Sequence, residues 1–168
     1  LNDNVNRYYF GSIAGIISGG AAIQNVTASL SFSDGTQGSI NGSIAYDKGI
    51  ALGGIVGFIA KTYANVYDAL SCVNFNLNLN SACEVSVGGI IGSGYTRNYN
   101  GNKTSQLENR GSIVINSGAS ATNLYASGII AHQLGMQDEV TLFNNIGDIT
   151  LNSTGTANTY VSGISNVD

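Results

Sequence analysis

The chain has 168 residues, of which 10% are charged and 43% hydrophobic, with 23 glycines and neither proline nor tryptophan. That length gives one domain, residues 1–168, with enough chain for a sizeable core. A formal net charge of −4 leaves no basic face for nucleic acid, and no apolar run approaches the ~20 residues that a membrane-spanning helix needs.

Asn, Ser, Thr and Gly carry the polar share, and with Val and Ile they favour strands and turns over helices. Taken in order, the chain opens at Leu1 with no initiator Met or leader, which fits a processed chain or a fragment. "AGIIS" around Gly15 is followed by "VTASLSFS" (26–33), the first coil's copy of the alternating strand that recurs at 72–81, 107–117 and 143–153, with Leu30 and Phe32 on one strand face. "SDGTQGS" (33–39) has the composition of a turn. "LGGIVG" (52–57) leads into "FIAKTYANVYDAL" (58–70), where the apolar residues fall near helical spacing and predict a short helix or an irregular loop. "CVNFNLNLNS" (72–81) returns to strict alternation, with Phe75, Leu77 and Leu79 on one side and asparagines on the other.

"VGGIIG" (87–92) then repeats the earlier hexapeptide, and "LENRGSIVINS" (107–117) supplies an Asn-x-Gly-x strand with Ile113 and Ile115 inward. "SGIIA" (127–131), a second helix-like stretch "AHQLGMQDEVTLF" (131–143), "FNNIGDITLNS" (143–153) and a final "SGISN" close the series. Anchored on the glycine before the aliphatic pair, Gly15, Gly54, Gly89, Gly128 and Gly163 recur at spacings of 39, 35, 39 and 35. A unit of two short strands and two turns cannot bury its apolar face alone; stacked units can. The expected fold is therefore all-β, a parallel β-solenoid (β-helix) of about four 35–39-residue coils, with a short helix or loop beside it. The anchor glycines admit a corner where a Cβ would strike the neighbouring coil. A sandwich with hairpins every 8–12 residues is the competing reading, and the long regular period disfavours it.

"GIVG" (54–57) and "GIIG" (89–92), each followed downstream by an Asn-x-Gly-x-Ile strand, resemble the GLUG-type repeat of bacterial and microbial-eukaryote surface proteins. The similarity covers nearly all of the chain and implies a β-solenoid on a secreted or cell-surface protein, within adhesin-like chains. The pattern departs at Ser18, Ala131 and Ser165, where the final glycine is missing.

Chemistry is sparse. His132 is the single histidine and reads as structural or solvated. The seven Asp and three Glu form no repeated pair of the kind a solenoid hydrolase needs, since Asp148 aligns with Ser112. No cofactor site or metal cluster is expected, and the chain reads as non-enzymatic. Four sequons, Asn25, Asn41, Asn102 and Asn152, lie in turns or at outward strand positions and could carry N-glycans. Cys72 and Cys83 fit either one disulfide or two buried thiols. The tyrosines, including Tyr8, Tyr9, Tyr95 and Tyr99, fit strand packing or a binding surface. Without proline and with almost no charge at its C-terminal end, the solenoid would leave strand edges open. The expected function is a structural extracellular or cell-surface solenoid stacking head-to-tail on copies of itself, as part of a glycosylated fibre; an adhesin-type glycan- or protein-binding module is the alternative.

Overall fold

The computed structural model describes residues 8–30, 38–44, 49–60, 64–79, 83–97, 105–118, 123–137, 141–155 and 158–167. Eighteen strands follow one another in these residues. Sheet 1 holds β1 (Tyr8–Gly11), β5 (Ile50–Gly53), β9 (Val85–Gly88), β13 (Asn123–Ser127) and β17 (Asn158–Ser162). Sheet 2 holds β2 (Ala14–Ile17), β6 (Val56–Ile59), β10 (Ile91–Arg97), β14 (Ile130–Gln137) and β18 (Ser165–Val167). Sheet 3 holds β3 (Ala22–Ser29), β7 (Asn65–Cys72), β11 (Ser105–Asn109) and β15 (Thr141–Asn145). Sheet 4 holds β4 (Ser39–Ile44), β8 (Asn74–Leu79), β12 (Ile113–Ser117) and β16 (Ile149–Ser153). Every strand pairs in parallel with the strand four places along, the signature of a parallel β-solenoid.

Burial separates the sheets into two kinds. Sheets 3 and 4 alternate: Phe75, Leu77 and Leu79 point in, while Asn76 and Asn78 point out. Sheets 1 and 2 are buried on both faces in the middle rungs, as in β9, where all four residues are buried. The two inner sheets pack on each other closely. Tyr9 stacks on Phe58 with ring centroids 4.7 Å apart. A Cβ on Gly57 or Gly92 would lie 2.6 Å or 2.7 Å from a backbone nitrogen of sheet 1, at Phe10 and Leu52. Inward residues of all four sheets, including Val56, Val85, Phe75, Leu107, Ile113 and Ile115, join in one hydrophobic core.

Three expectations need correction. Gly15 is not the counterpart of Gly54. Gly11 pairs with Gly53 and Ala14 with Val56, so Ser12-Ile13 matches Gly54-Ile55, and Gly15 belongs with Gly57 and Gly92, three residues further on. The sequence "GSIAG" (11–15), not "AGIIS", is the first copy of "GGIVG".

The stretch 26–33 is not the first coil's copy of the alternating strand at 72–81. Val26–Ser29 lie in β3 and pair with β7, while the counterpart of Asn74–Leu79 is Ser39–Ile44. Leu30 is exposed, and Phe32 falls outside the described residues.

The two helix-like stretches are strands where they are described, and both contain a bulge. Asp68 adopts a φ of 52°, and the extra residue puts inward Val66 and Ala69 three apart instead of two. Leu134 is likewise an extra residue between Gln133, opposite Gly94, and Gly135, opposite Tyr95. An inserted residue breaks the period of two and counterfeits a helical one.

Candidate functional site

Sheets 1 and 2 meet at a two-residue corner, and sheets 3 and 4 meet at a second corner, of one residue between β7 and β8 and of three between β11 and β12 and between β15 and β16. The two corners touch. A Cβ on Gly54 would sit 2.0 Å from the Gly89 carbonyl oxygen and 2.2 Å from Ser71 Oγ. On Gly89 it would sit 2.1 Å from the Gly128 oxygen and 2.4 Å from Asn109 Cγ, and on Gly128 2.1 Å from Asn145 Cγ. Each glycine thus makes room for the next rung's carbonyl and for a polar side chain from the other corner. The first rung has Ser12 in place of the glycine, and at the position of Ser71 it carries the smaller Ala28.

That polar side chain is the Asn of the Asn-x-Gly pattern, pointing inward. Asn109 is fully buried. Its Nδ2 donates to the Gly111 carbonyl and to Asn145 Oδ1, both at 2.8 Å, and its Oδ1 accepts from the Gly111 N–H at 3.1 Å. Asn145 Nδ2 repeats the loop onto the Gly147 carbonyl at 2.9 Å. Ser71 makes the shorter version, accepting from the Val73 N–H at 3.3 Å. The amide closes the tight corner and satisfies backbone groups that would otherwise be buried and unpaired. The signal was in the sequence as Asn at i and Gly at i+2, but nothing there told an inward amide from an outward one.

The end rungs differ from the middle. At the corner aliphatic position, Ile55, Ile90 and Ile129 are each 0% exposed, while Ile13 is 51% and Ile164 36% exposed. Among the described residues, every exposed large hydrophobic lies in the first or last rung: Tyr8, Phe10, Ile13, Ile16 and Leu30 at one end, and Leu142, Ile146, Tyr160, Val161 and Ile164 at the other. None of the eight strands in those rungs contains a charged residue.

The other candidates scatter. Asn41 and Asn152 are exposed on the outer face of sheet 4, where asparagines bond from rung to rung: Asn76 Nδ2 donates to Asn41 Oδ1 at 3.1 Å, and Asn152 Nδ2 to Asn116 Oδ1 at 2.9 Å. Asn25 is exposed at a bulge on sheet 3 with φ 54°, and Asn102 lies outside the described residues. Cys72 and Cys83 are not bridged. Cys72 is half-buried on the outward side of β7, whereas Cys83 is buried, so their side chains occupy different sides of the wall. His132 is buried between the inner sheets, stacked on Tyr125 at 4.0 Å, with Nδ1 3.7 Å from Glu84 Oε1. Asp138 and Glu139, its neighbours in sequence, lie outside the described residues. Asp148 and Ser112 do occupy equivalent positions, since Ile113 pairs with Ile149. Among the described residues no group of three His, Cys, Asp or Glu side chains could hold a metal ion.

Charge gathers on the outer face of sheet 3. Glu108 Oε1 accepts from Arg110 Nε, and Oε2 accepts from Gln106 Nε2 at 3.2 Å and Asn144 Nδ2 at 3.4 Å. The Arg110 hydrogen bond holds the Glu108 carboxyl below its ordinary 4.5, against a lesser upward push from desolvation and with help from Asn144. A depressed carboxyl stabilises the fold above its unfolded-state pKa and loses that contribution as pH falls through the lowered value. An exposed pair of this kind adds little to stability, because solvent screens it. Glu108→Gln should therefore leave the thermal midpoint within about 3 °C of the parent, as read by circular dichroism at pH 7.

The fold and corners define a parallel β-solenoid. In comparisons with known proteins, no family model, no curated protein and no solved structure matches the chain.

Proposed function

We propose that the chain is a structural, non-enzymatic β-solenoid of the GLUG-repeat kind, a subunit or segment of a glycosylated extracellular surface fibre that stacks head-to-tail on copies of itself. The observation that carries this reading is the contrast along the corner ladder, where Ile55, Ile90 and Ile129 are sealed and Ile13 and Ile164 are open. An uncharged, apolar strand edge is a template for pairing unless charge, proline or a cap blocks it. Each rung is a near-copy of the one before, so the last rung offers the first rung of a second copy the same aliphatic and backbone partners that interior rungs find. Repeated end-to-end contact of this heterologous type builds a filament. Exposed Asn41 and Asn152 face outward from the two edge strands of sheet 4, so an attached sugar would extend from the outer wall rather than into the core.

Gly163 gives the test. Nothing lies within 4 Å of a Cβ built there, whereas one rung earlier a Cβ on Gly128 would meet the Gly163 oxygen at 2.4 Å. Gly163→Val should fold with a stability within about 0.5 kcal/mol of the parent yet fail to stack. Light scattering should show the parent growing beyond 17.3 kDa with concentration and the variant staying at that mass. A parent that stays at the single-chain mass at every concentration, or a variant that grows equally, refutes the stacking.

The second reading, an adhesin-type binding module, is favoured by one observation, a polar cleft on the outer face of sheet 3.

A further inference from the structure

The cleft has a volume of about 410 Å³ and is lined by Asn25, Asp68, Leu70, Gln106, Glu108 and Arg110 among others. Its cause is a pair of stacked bulges. Asn25 and Asp68 both take left-handed φ values, 54° and 52°, at matching points of β3 and β7. β7 pairs with β11 only from Ala69 onward. Instead of a ladder bond, the Gln106 N–H donates to Asp68 Oδ1 at 3.2 Å, and Gln24 Nε2 donates to Asp68 Oδ2 at 3.4 Å.

We propose that this cleft is a saccharide site that takes a short neutral oligosaccharide laid along the solenoid axis. Three consecutive rungs contribute, and their spacing of about 4.8 Å is close to the length of one pyranose unit in an extended chain. Carboxylate, primary amide and guanidinium groups present pairs of donors or acceptors that match vicinal hydroxyls, and Leu70 offers an apolar patch to the C–H face of a ring. Arg110 offsets Glu108 and neutral amides donate to Asp68, which leaves the lining a net charge of −1 and disfavours an anionic sugar. A cavity of this size lies within the range of small-ligand sites. The site is independent of end stacking, and it gives the binding reading a place on the molecule.

The sugar has two sources. Asn25, on the cleft wall, opens the sequon Asn25-Val26-Thr27, so the chain's own N-glycan could lie in the cleft; otherwise a glycan of another molecule fills it. Protein made in a bacterial host, verified at the bare polypeptide mass, is titrated with chitotriose and cellotriose by calorimetry. Binding of at least one at a Kd near 1 mM is expected, weakened at least tenfold in Gln106→Ala and Glu108→Gln, whose circular dichroism serves as the folding check. Protein from a glycosylating host separates the sources by intact mass. With sugar on Asn25, the free probe is excluded and Asn25→Gln restores its binding; with Asn25 bare, the probe binds as before. Absence of binding by either probe at tens of millimolar to the bare protein, or unchanged binding in both variants, overturns the proposal.

Discussion

Gly89→Val should destabilise the fold by about 4 kcal/mol, lowering the thermal midpoint by roughly 10 °C. The new Cβ would sit 2.1 Å from the Gly128 carbonyl oxygen and 2.4 Å from Asn109 Cγ. Neither neighbour can yield cheaply. The carbonyl belongs to a rung fixed by parallel pairing on both sides, and the Asn109 side chain is held by hydrogen bonds to Gly111 and Asn145. Relief requires prising two rungs apart, which lengthens ladder bonds along all four sheets. Gly163→Val is the matched control, because the same chemical change meets open space there. Denaturant melts of the two variants side by side read the difference. Equal stabilities would mean that the corner glycines are not set by rung stacking.

Asn109→Leu is expected to cost about 3 kcal/mol. Leucine fits the volume but donates and accepts nothing, so the N–H and carbonyl of buried Gly111 and the Oδ1 of Asn145 lose their partner together. Leaving a buried polar group unsatisfied costs about 1–3 kcal/mol for each group, softened where water can enter. The chain contains a milder version of the same position. Ser71 accepts from the Val73 N–H at 3.3 Å and reaches no further, so Asn109→Ser should cost only about 1 kcal/mol. The order Leu worse than Ser, measured by thermal melts, separates hydrogen bonding from volume. A leucine variant as stable as the parent would show that the amide ladder does not close the corner.

The outer walls were the most legible part of the sequence. Strict alternation in "NFNLNLN" states which side of β8 is inward, and Phe75, Leu77 and Leu79 are indeed buried while Asn76 and Asn78 are exposed. The glycine corners were legible from Gly54 onward, because Gly54, Gly89 and Gly128 repeat the same tight contact and Gly163 keeps their spacing. The first rung was not. It substitutes Ser12 for the corner glycine, which left Gly15 as the nearest match and carried the alignment three residues too far. The bulges at Asp68 and Leu134 hid two strands for a different reason. A single inserted residue makes inward side chains fall three apart, and no local composition distinguishes that from one turn of helix.

The candidate surfaces divide along the same line. The exposed apolar residues of the first and last described rungs follow from the repeat itself, and the outward asparagines follow from alternation. The polar cleft depends on two left-handed residues meeting in adjacent rungs, a register that the sequence does not print. Cys72 and Cys83 show the limit again: a separation of eleven residues suits a bridge, but one side chain faces outward from the wall and the other is buried.

Electron microscopy of the purified chain at high concentration tests the central claim most directly, because a sealed joint between copies is visible as continuity. Head-to-tail stacking predicts unbranched filaments one solenoid wide that lengthen with concentration and disappear in Gly163→Val. Fields of separate short particles, each the length of a single chain at every concentration, would contradict it.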